Sequence, residues 1–178
     1  ENIIKGMHRI SIAKEPKVRL LGSGAILNEC IKAAEILNDY GISNEVWSVT
    51  SFNMLRKDGM EIENENIKNP STKGKQSFVT KSFSENDIPT VASTDYMRAY
   101  SEQIRPYMTS PYYTLGTDGF GRSDSREKLR EFFEVDANNI VMTAAYALFK
   151  EGTLDKKEMQ KIYKKSAVKK NKNPPWKE

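Results

Sequence analysis

The sequence predicts a three-layer α/β sandwich built on a mostly parallel sheet. Three observations predict it. Short apolar runs alternate with amphipathic helical stretches through most of the 178 residues. Turn residues follow the runs at Gly22, Ser51, Thr94 and Gly116, and right-handed crossovers would bring these turns to one edge of the sheet. The apolar content of 38%, with seven Phe and eight Tyr, suffices for a packed core in one domain of this length.

The elements follow in chain order. MHRISI (7–12) alternates His8, Ile10 and Ile12 with Arg9 and Ser11, the pattern of an edge strand. The run Lys17–Leu21 ends at Gly22-Ser23-Gly24, and from Ile26 to Leu37 the apolar residues Leu27, Ile31, Ala34 and Leu37 recur at helical spacing. Gly41 is placed to end that helix in the left-handed conformation. Glu45–Val49 is the next strand, and the polar SFNMLRKDGMEIENENI is helical. Asn69, Pro70 and Gly74 break periodicity and make 68–75 a loop. Phe78–Phe83 reads as a short helix with Phe78, Val79 and Phe83 turned inward. Pro89–Ser93 is a strand, followed by a helix from about Tyr96 to Tyr107, and Tyr112–Leu115 is a further strand. Three helices come last. One begins near Ser125, with Asp124 and Glu127 in capping-box spacing. Another begins after Asp136 and stops at Gly152. The third begins at Asp155, with Glu158 at the matching position.

Charge and composition weigh against several classes. The net charge is +4, yet residues 155–178 hold nine Lys against three acids, so the other 154 residues carry −2. A nucleic-acid surface needs basic groups spread over a face with readers among them. Here the excess is a tail, KKSAVKKNKNPPWKE, read as a basic, solvated and flexible terminus over 167–178, with the folded domain at 1–166. No run approaches the ~20 apolar residues of a membrane span. The single cysteine excludes an internal disulfide, and its setting among Leu27, Ile31 and Ala34 makes Cys30 a core residue. The chain opens on Glu rather than Met, which suggests a piece of a longer protein.

Three motifs have the look of sites. LLGSGAIL after a strand resembles a phosphate turn, since N–H groups at a helix N-terminus attract anions. It lacks the third Gly of a dinucleotide fingerprint and the Lys-Ser/Thr of a P-loop, so a tight strand–helix turn accounts for it. An independent α/β module taking a small anion there is the second functional class, and a nucleic-acid accessory domain acting through the lysine tail is a third. His8 is the only histidine, without clustered carboxylates for a metal. Ser123 and Ser125 have acidic neighbours, but with no further histidine to act as base nucleophilic catalysis lacks a mechanism.

The blocks GTDGFGRSDSREKLREFFEVDA (116–137), VRLLGSGAIL (18–27), YGISNEVWSVTSF (40–52) and TVASTDYMRAYSEQI (90–104) closely resemble the carboxyl-terminal domain of the single-chain, homodimeric bacterial pyruvate dehydrogenases. The resemblance runs from about Ile3 to about Ile162 and is weaker over 57–85 and in the tail. The block FGRSDSREKLREFFEVDA is its most specific part, because transketolases in general share only a looser form. The resemblance implies a five-stranded mixed sheet with one antiparallel edge strand, of the transketolase carboxyl-terminal type. It also implies a cytoplasmic oxidoreductase that decarboxylates pyruvate and reductively acetylates lipoyl groups of a dihydrolipoyl acetyltransferase component. Thiamine diphosphate and magnesium would lie between the amino-terminal and middle domains of a homodimer. None of that family's catalytic, cofactor-binding or metal-binding residues maps into these positions, so this piece alone is expected to be inactive. Thr117-Asp118-Gly119 and Asn138-Asn139 imitate the thiamine signature Gly-Asp-Gly…Asn-Asn, but Thr replaces the leading Gly and only 18 residues separate Gly119 from Asn138.

The stretch from Gly116 is therefore read as a strand–helix crossover and docking loop. Its glycines 116, 119 and 121 permit positive φ and close approach. Asp118, Arg122, Asp124 and Arg126 supply charge-assisted hydrogen bonds within the loop or to a neighbouring domain. Tyr112, Tyr113, Asp118, Phe120, Arg122, Asp124 and Arg126 are the expected domain or subunit interface, with Tyr96 and Tyr100 as further aromatic candidates. No contact with nucleic acid or membrane is expected.

Overall fold

The computed structural model describes residues 2–166, 168–169 and 171–177. A short helix α1 (Asn2–Lys5) leads into β1 (Met7–Ile12), and β2 (Val18–Ser23) passes through a 3-10 turn, Gly24–Ile26, into α2 (Leu27–Asp39). β3 (Asn44–Val49), α3 (Phe52–Lys68), α4 (Phe78–Phe83) and β4 (Thr90–Ser93) follow. α5 (Arg98–Glu102), β5 (Tyr112–Leu115), α6 (Arg126–Phe133), α7 (Ala137–Lys150) and α8 (Lys156–Lys165) complete the domain. The strands lie in the order β1-β3-β2-β4-β5. All neighbours are parallel except β1, which pairs antiparallel with β3 and shifts register between Arg9 and Ser11. This is the mixed five-stranded sheet with one antiparallel edge strand that the family resemblance implied.

Two cores flank the sheet. On one face Val18, Leu20, Val46, Val91 and Leu115 pack with residues of α2, α6, α7 and α8. On the other Leu21, Trp47, Val49, Ala92 and Tyr112 pack with residues of α3 and α4 and with Ile104. Alternate residues of one strand serve opposite cores because side chains alternate across a sheet, and β2, β3 and β4, covered on both faces, are buried throughout. Gly22 is required for close packing, since a Cβ there would stand 2.7 Å from Leu27 Cα and 3.0 Å from Cys30 Sγ.

The amino-terminal end of the sheet holds a buried charge. Arg19 on β2 is flanked in register by Glu45 on β3 and Thr90 on β4. Its Nε donates to Glu45, one Nη donates to Thr90 Oγ1 at 3.1 Å and the other to Asn86 O at 3.2 Å. The guanidinium carbon lies 4.0 Å from the centre of the Phe83 ring. Burial disfavours the charged guanidinium, and Glu45 opposes that effect.

Local signals explain the element ends and three departures from the sequence reading. Gly41 takes φ 71° beyond α2, and Asp155 with Glu158 forms the capping box that starts α8. α6 is capped by Ser125, whose Oγ accepts from Lys128 N, whereas the Asp124 carboxylate accepts from the adjacent Ser125 N. The helix expected over 96–107 is broken into α5 and a 3-10 turn at Arg105–Tyr107. Pro106 has no N–H to give the Glu102 carbonyl, and Met97 is extended with ψ 150°. On β1 the apolar–polar alternation of the sequence is not matched by burial: Ile10 and Ile12 are exposed, and Met7 is the residue that enters the core. Among the described residues no helix is long and apolar enough to cross a membrane.

Candidate docking surface at the carboxyl edge of the sheet

Parallel strands deliver their following turns to one edge, so β2, β4 and β5 place Gly22–Gly24, Thr94–Asp95 and Gly116 side by side. Ser23 Oγ donates to Thr94 Oγ1 at 2.9 Å, and Thr94 N donates to Leu115 O at 3.1 Å. Asp95 stands over the first turn, since a Cβ placed on Gly24 would lie 3.0 Å from its Oδ1. A carboxylate there repels the anion for which that turn looked suited.

The loop from Gly116 to Ser125 is fastened to the segment ahead of α5. Thr117 N donates to Tyr96 O at 2.9 Å and Thr117 Oγ1 donates to Asp95 O at 2.9 Å. Arg98 N donates to Asp118 Oδ1 at 2.9 Å, and Arg98 Nε lies 3.4 Å from Asp118 Oδ2. Gly116 is needed for close approach, because a Cβ would meet Arg98 N at 2.6 Å. Gly119 needs both properties, with φ 108° and Pro175 O 2.9 Å from a built Cβ. Gly121 needs neither: its φ is not positive and nothing lies within 4 Å of its Cβ position.

Anchored at Asp118, the loop turns its ring outward. Phe120 is 82% exposed, and Tyr96 and Met97 on the facing segment are 62% and 61% exposed. Arg122 sets its guanidinium 4.3 Å from the centre of the Phe132 ring on α6. Asp124 is spent on Ser125 N, and Arg126 opens α6 at the surface. Asp95, Arg122 and Arg126 share the lining of a cleft of about 380 Å³ between the β2 turn, the loop and α6. Five of the seven interface candidates, Asp118, Phe120, Arg122, Asp124 and Arg126, are thus brought together on this edge.

The two strand tyrosines are not. Tyr112 is 6% exposed, belongs to the second core and donates its hydroxyl to Ser101 O at 2.8 Å. Burial holds that phenol well above its ordinary pKa. Tyr113 is half-buried against the first core, in edge contact with Tyr146 at 6.1 Å. Tyr100 is also half-buried, between Phe52 at 5.5 Å and Tyr96 at 4.9 Å.

Sequence reasoning missed three residues of this surface. Met97 and Arg98 were hidden inside a helix read as continuous. Trp176 was hidden in a tail read as solvated. Among its described residues the tail instead lies against the fold: Pro175 is buried, Lys172 contacts α6, and Arg98 sits 5.4 Å from the centre of the Trp176 ring. Composition counted the lysines but could not show that Glu131 and Glu134 await them on α6. Ala167, Lys170 and Glu178, also within the predicted tail, lie outside the described residues.

The residues that imitate a thiamine signature do not fit a diphosphate–metal site. Asp118 is bonded to Arg98. Asn138 N and Asn139 N donate to Asp136 Oδ1 at 2.9 and 3.2 Å as the N-cap of α7, and Asn139 Nδ2 donates to Asp136 Oδ2 at 2.6 Å. Among the described residues no three His, Cys, Asp or Glu side chains gather as a metal ion would need.

A five-stranded sheet in this order, parallel but for its antiparallel edge strand β1, defines a domain of the transketolase carboxyl-terminal type. The family model for the transketolase-like TK C-terminal domain matches residues 6–136, and the chain belongs to that family. The chain is 47% identical over 98% of its length to the pyruvate dehydrogenase E1 component of Pseudomonas aeruginosa, and 42% identical over 98% to that of Cupriavidus necator. It is 47% identical over 88% of its length to the pyruvate dehydrogenase E1 component of Escherichia coli K12. It spans only 20%, 20% and 18% of those three relatives. Among solved structures, the transketolase of Leishmania mexicana matches 86% of this chain and 20% of its own, with TM-score 0.59 at 16% identity, a likeness of fold.

Proposed function

We propose that this chain is the carboxyl-terminal domain of a thiamine-diphosphate-dependent pyruvate dehydrogenase, which decarboxylates pyruvate and reductively acetylates the lipoyl groups of a dihydrolipoyl acetyltransferase component. The observation that carries the reading is the identity of 42–47% to pyruvate dehydrogenase E1 components, sustained over nearly all of this chain but covering about a fifth of theirs. In this reading thiamine diphosphate and magnesium bind the enzyme's amino-terminal and middle domains, in a cytoplasmic homodimer. This domain has no catalytic group of its own and contributes its carboxyl edge to contacts with those domains and the second copy. Exposed rings at that edge support the assembly role, because buried aromatic anchors dominate the energetics of interfaces.

The test is Phe120→Ala with Arg122→Ala, made both in a pyruvate dehydrogenase chain carrying this domain and in the 178-residue chain alone. The enzyme is expected to dimerise at least tenfold more weakly by analytical ultracentrifugation, or to lose pyruvate turnover, while the isolated chain keeps its cooperative melt. Normal dimerisation and turnover, or collapse of the isolated chain, overturn the assignment of this edge.

A further inference from the structure

We propose that the described residues of the tail, 168–169 and 171–177, form a strap that fixes α6 and the Gly116–Ser125 loop, with Lys172, Pro175 and Trp176 as its attachments.

The first attachment is at the end of α6. A helix leaves its last carbonyls without intrahelical donors, and a cation at that end is favoured by the helix dipole. α6 ends on Glu134 in the left-handed conformation at φ 60°, an uncommon state for a residue other than glycine. Lys172 Nζ donates to Glu131 O at 3.0 Å and to Phe132 O, and lies 3.7 Å from Glu134 Oε1. Its side chain is largely buried there. Lys169 adds an outer pair to Glu131 at 2.7 Å, exposed and therefore weak by itself.

The other two attachments reach the loop. Pro175 is buried, and its carbonyl oxygen occupies the space that a side chain at residue 119 would fill, 2.9 Å from the Cβ position. Trp176 lies on Arg98, whose backbone N–H and guanidinium both address Asp118. A second line of contact runs through Phe132, which has the Arg122 guanidinium 4.3 Å and the Lys172 ammonium 5.0 Å from its ring centre. The loop is thus fixed at Asp118–Gly119 and again at Arg122, each time through a group that the tail also touches. The pair Pro174-Pro175 suits a strap, since proline has little backbone freedom to lose on being laid down. Trp176, 49% exposed, adds a ring to the edge beside Met97 and Phe120.

Hydrogen exchange on the 178-residue chain tests this, comparing it with a chain lacking residues 168–178 and with Trp176→Ala and Lys172→Met. The amides of Thr117 and of Lys128–Glu134 are expected to exchange about tenfold faster in the shortened chain and several-fold faster in the point variants, with β2 and β4 amides unchanged. Unchanged exchange at Thr117 and α6 in the shortened chain overturns the strap. If the shortened chain does not fold, the two point variants decide by the same criterion. Gly119→Ala gives an independent reading. It is expected to lower Tm more in the intact chain, where the methyl meets Pro175, than in the shortened one, where only the positive φ is strained. Equal losses contradict the contact.

Discussion

The two ends of the parallel sheet treat polarity in opposite ways. At the amino-terminal end Arg19 is sealed between three strands, and its guanidinium is met by a carboxylate, a hydroxyl, a carbonyl and a ring. At the carboxyl-terminal end Tyr96, Met97, Phe120 and Trp176 hold apolar surface out to water while the ionic contacts lie beneath them. A charge is tolerated inside when neighbours in strand register answer it, and the exposed rings are the surface that the proposed assembly would cover.

Breaking the buried row should have the largest effect. Arg19→Met alone strands Glu45 and is expected to cost about 3–5 kcal/mol, while adding Glu45→Met should restore most of the loss, because an apolar pair replaces an ionic one at little net cost. Urea unfolding of the two variants checks this, and a double variant no better than the single one would show that the row acts through geometry rather than charge.

The comparison sharpens with one truncation on each side. Leu21→Ala, in the second core, is expected to cost about 2–5 kcal/mol. Met97→Ala at the edge should stay within about 0.5 kcal/mol of the parent chain. A large loss at Met97 would mean that the edge is already packed in the isolated domain.

The smallest effect is a titration. Hydrogen bonding from Lys169, then from Lys128, holds the Glu131 carboxyl below its ordinary range. A carboxylate with a lowered folded pKa contributes stability that is present above its unfolded value and lost as pH falls through the lowered one. Carboxyl-resolved NMR should therefore show Glu131 titrating lower in the intact chain than in Lys169→Ala, with part of the shift retained through Lys128. Identical titrations would remove Lys169 from the strap.

Much of this architecture was legible because local rules and tertiary packing agree. The runs that became β2 to β5, the glycine after α2 and the capping box of α8 each read the same way in sequence and in space. In the edge loop the roles read for Gly116, Gly119 and Asp118 are seen in space, whereas the one read for Gly121 is not. What escaped depended on partners far away in the chain. Two consecutive tyrosines open β5, and nothing local says that both faces of this edge strand are covered, so Tyr112 and Tyr113 were assigned to a boundary rather than one to each core. Pro106 was passed over within a helical period although it lacks the N–H that the period needs. The lysines of the tail carry no sign of the carbonyls and carboxylates that receive them 38 to 41 residues earlier.

The close seat of α2 on Gly22 has a practical consequence. Cys30 is sealed against that glycine, and burial pushes its thiol up to about 12, so at neutral pH it offers almost no nucleophile to a reagent. Alkylation must wait until α2 lifts from β2. The only sulfhydryl in the chain is therefore an internal clock: its labelling rate counts openings of the first core where α2 meets β2, and needs no introduced probe.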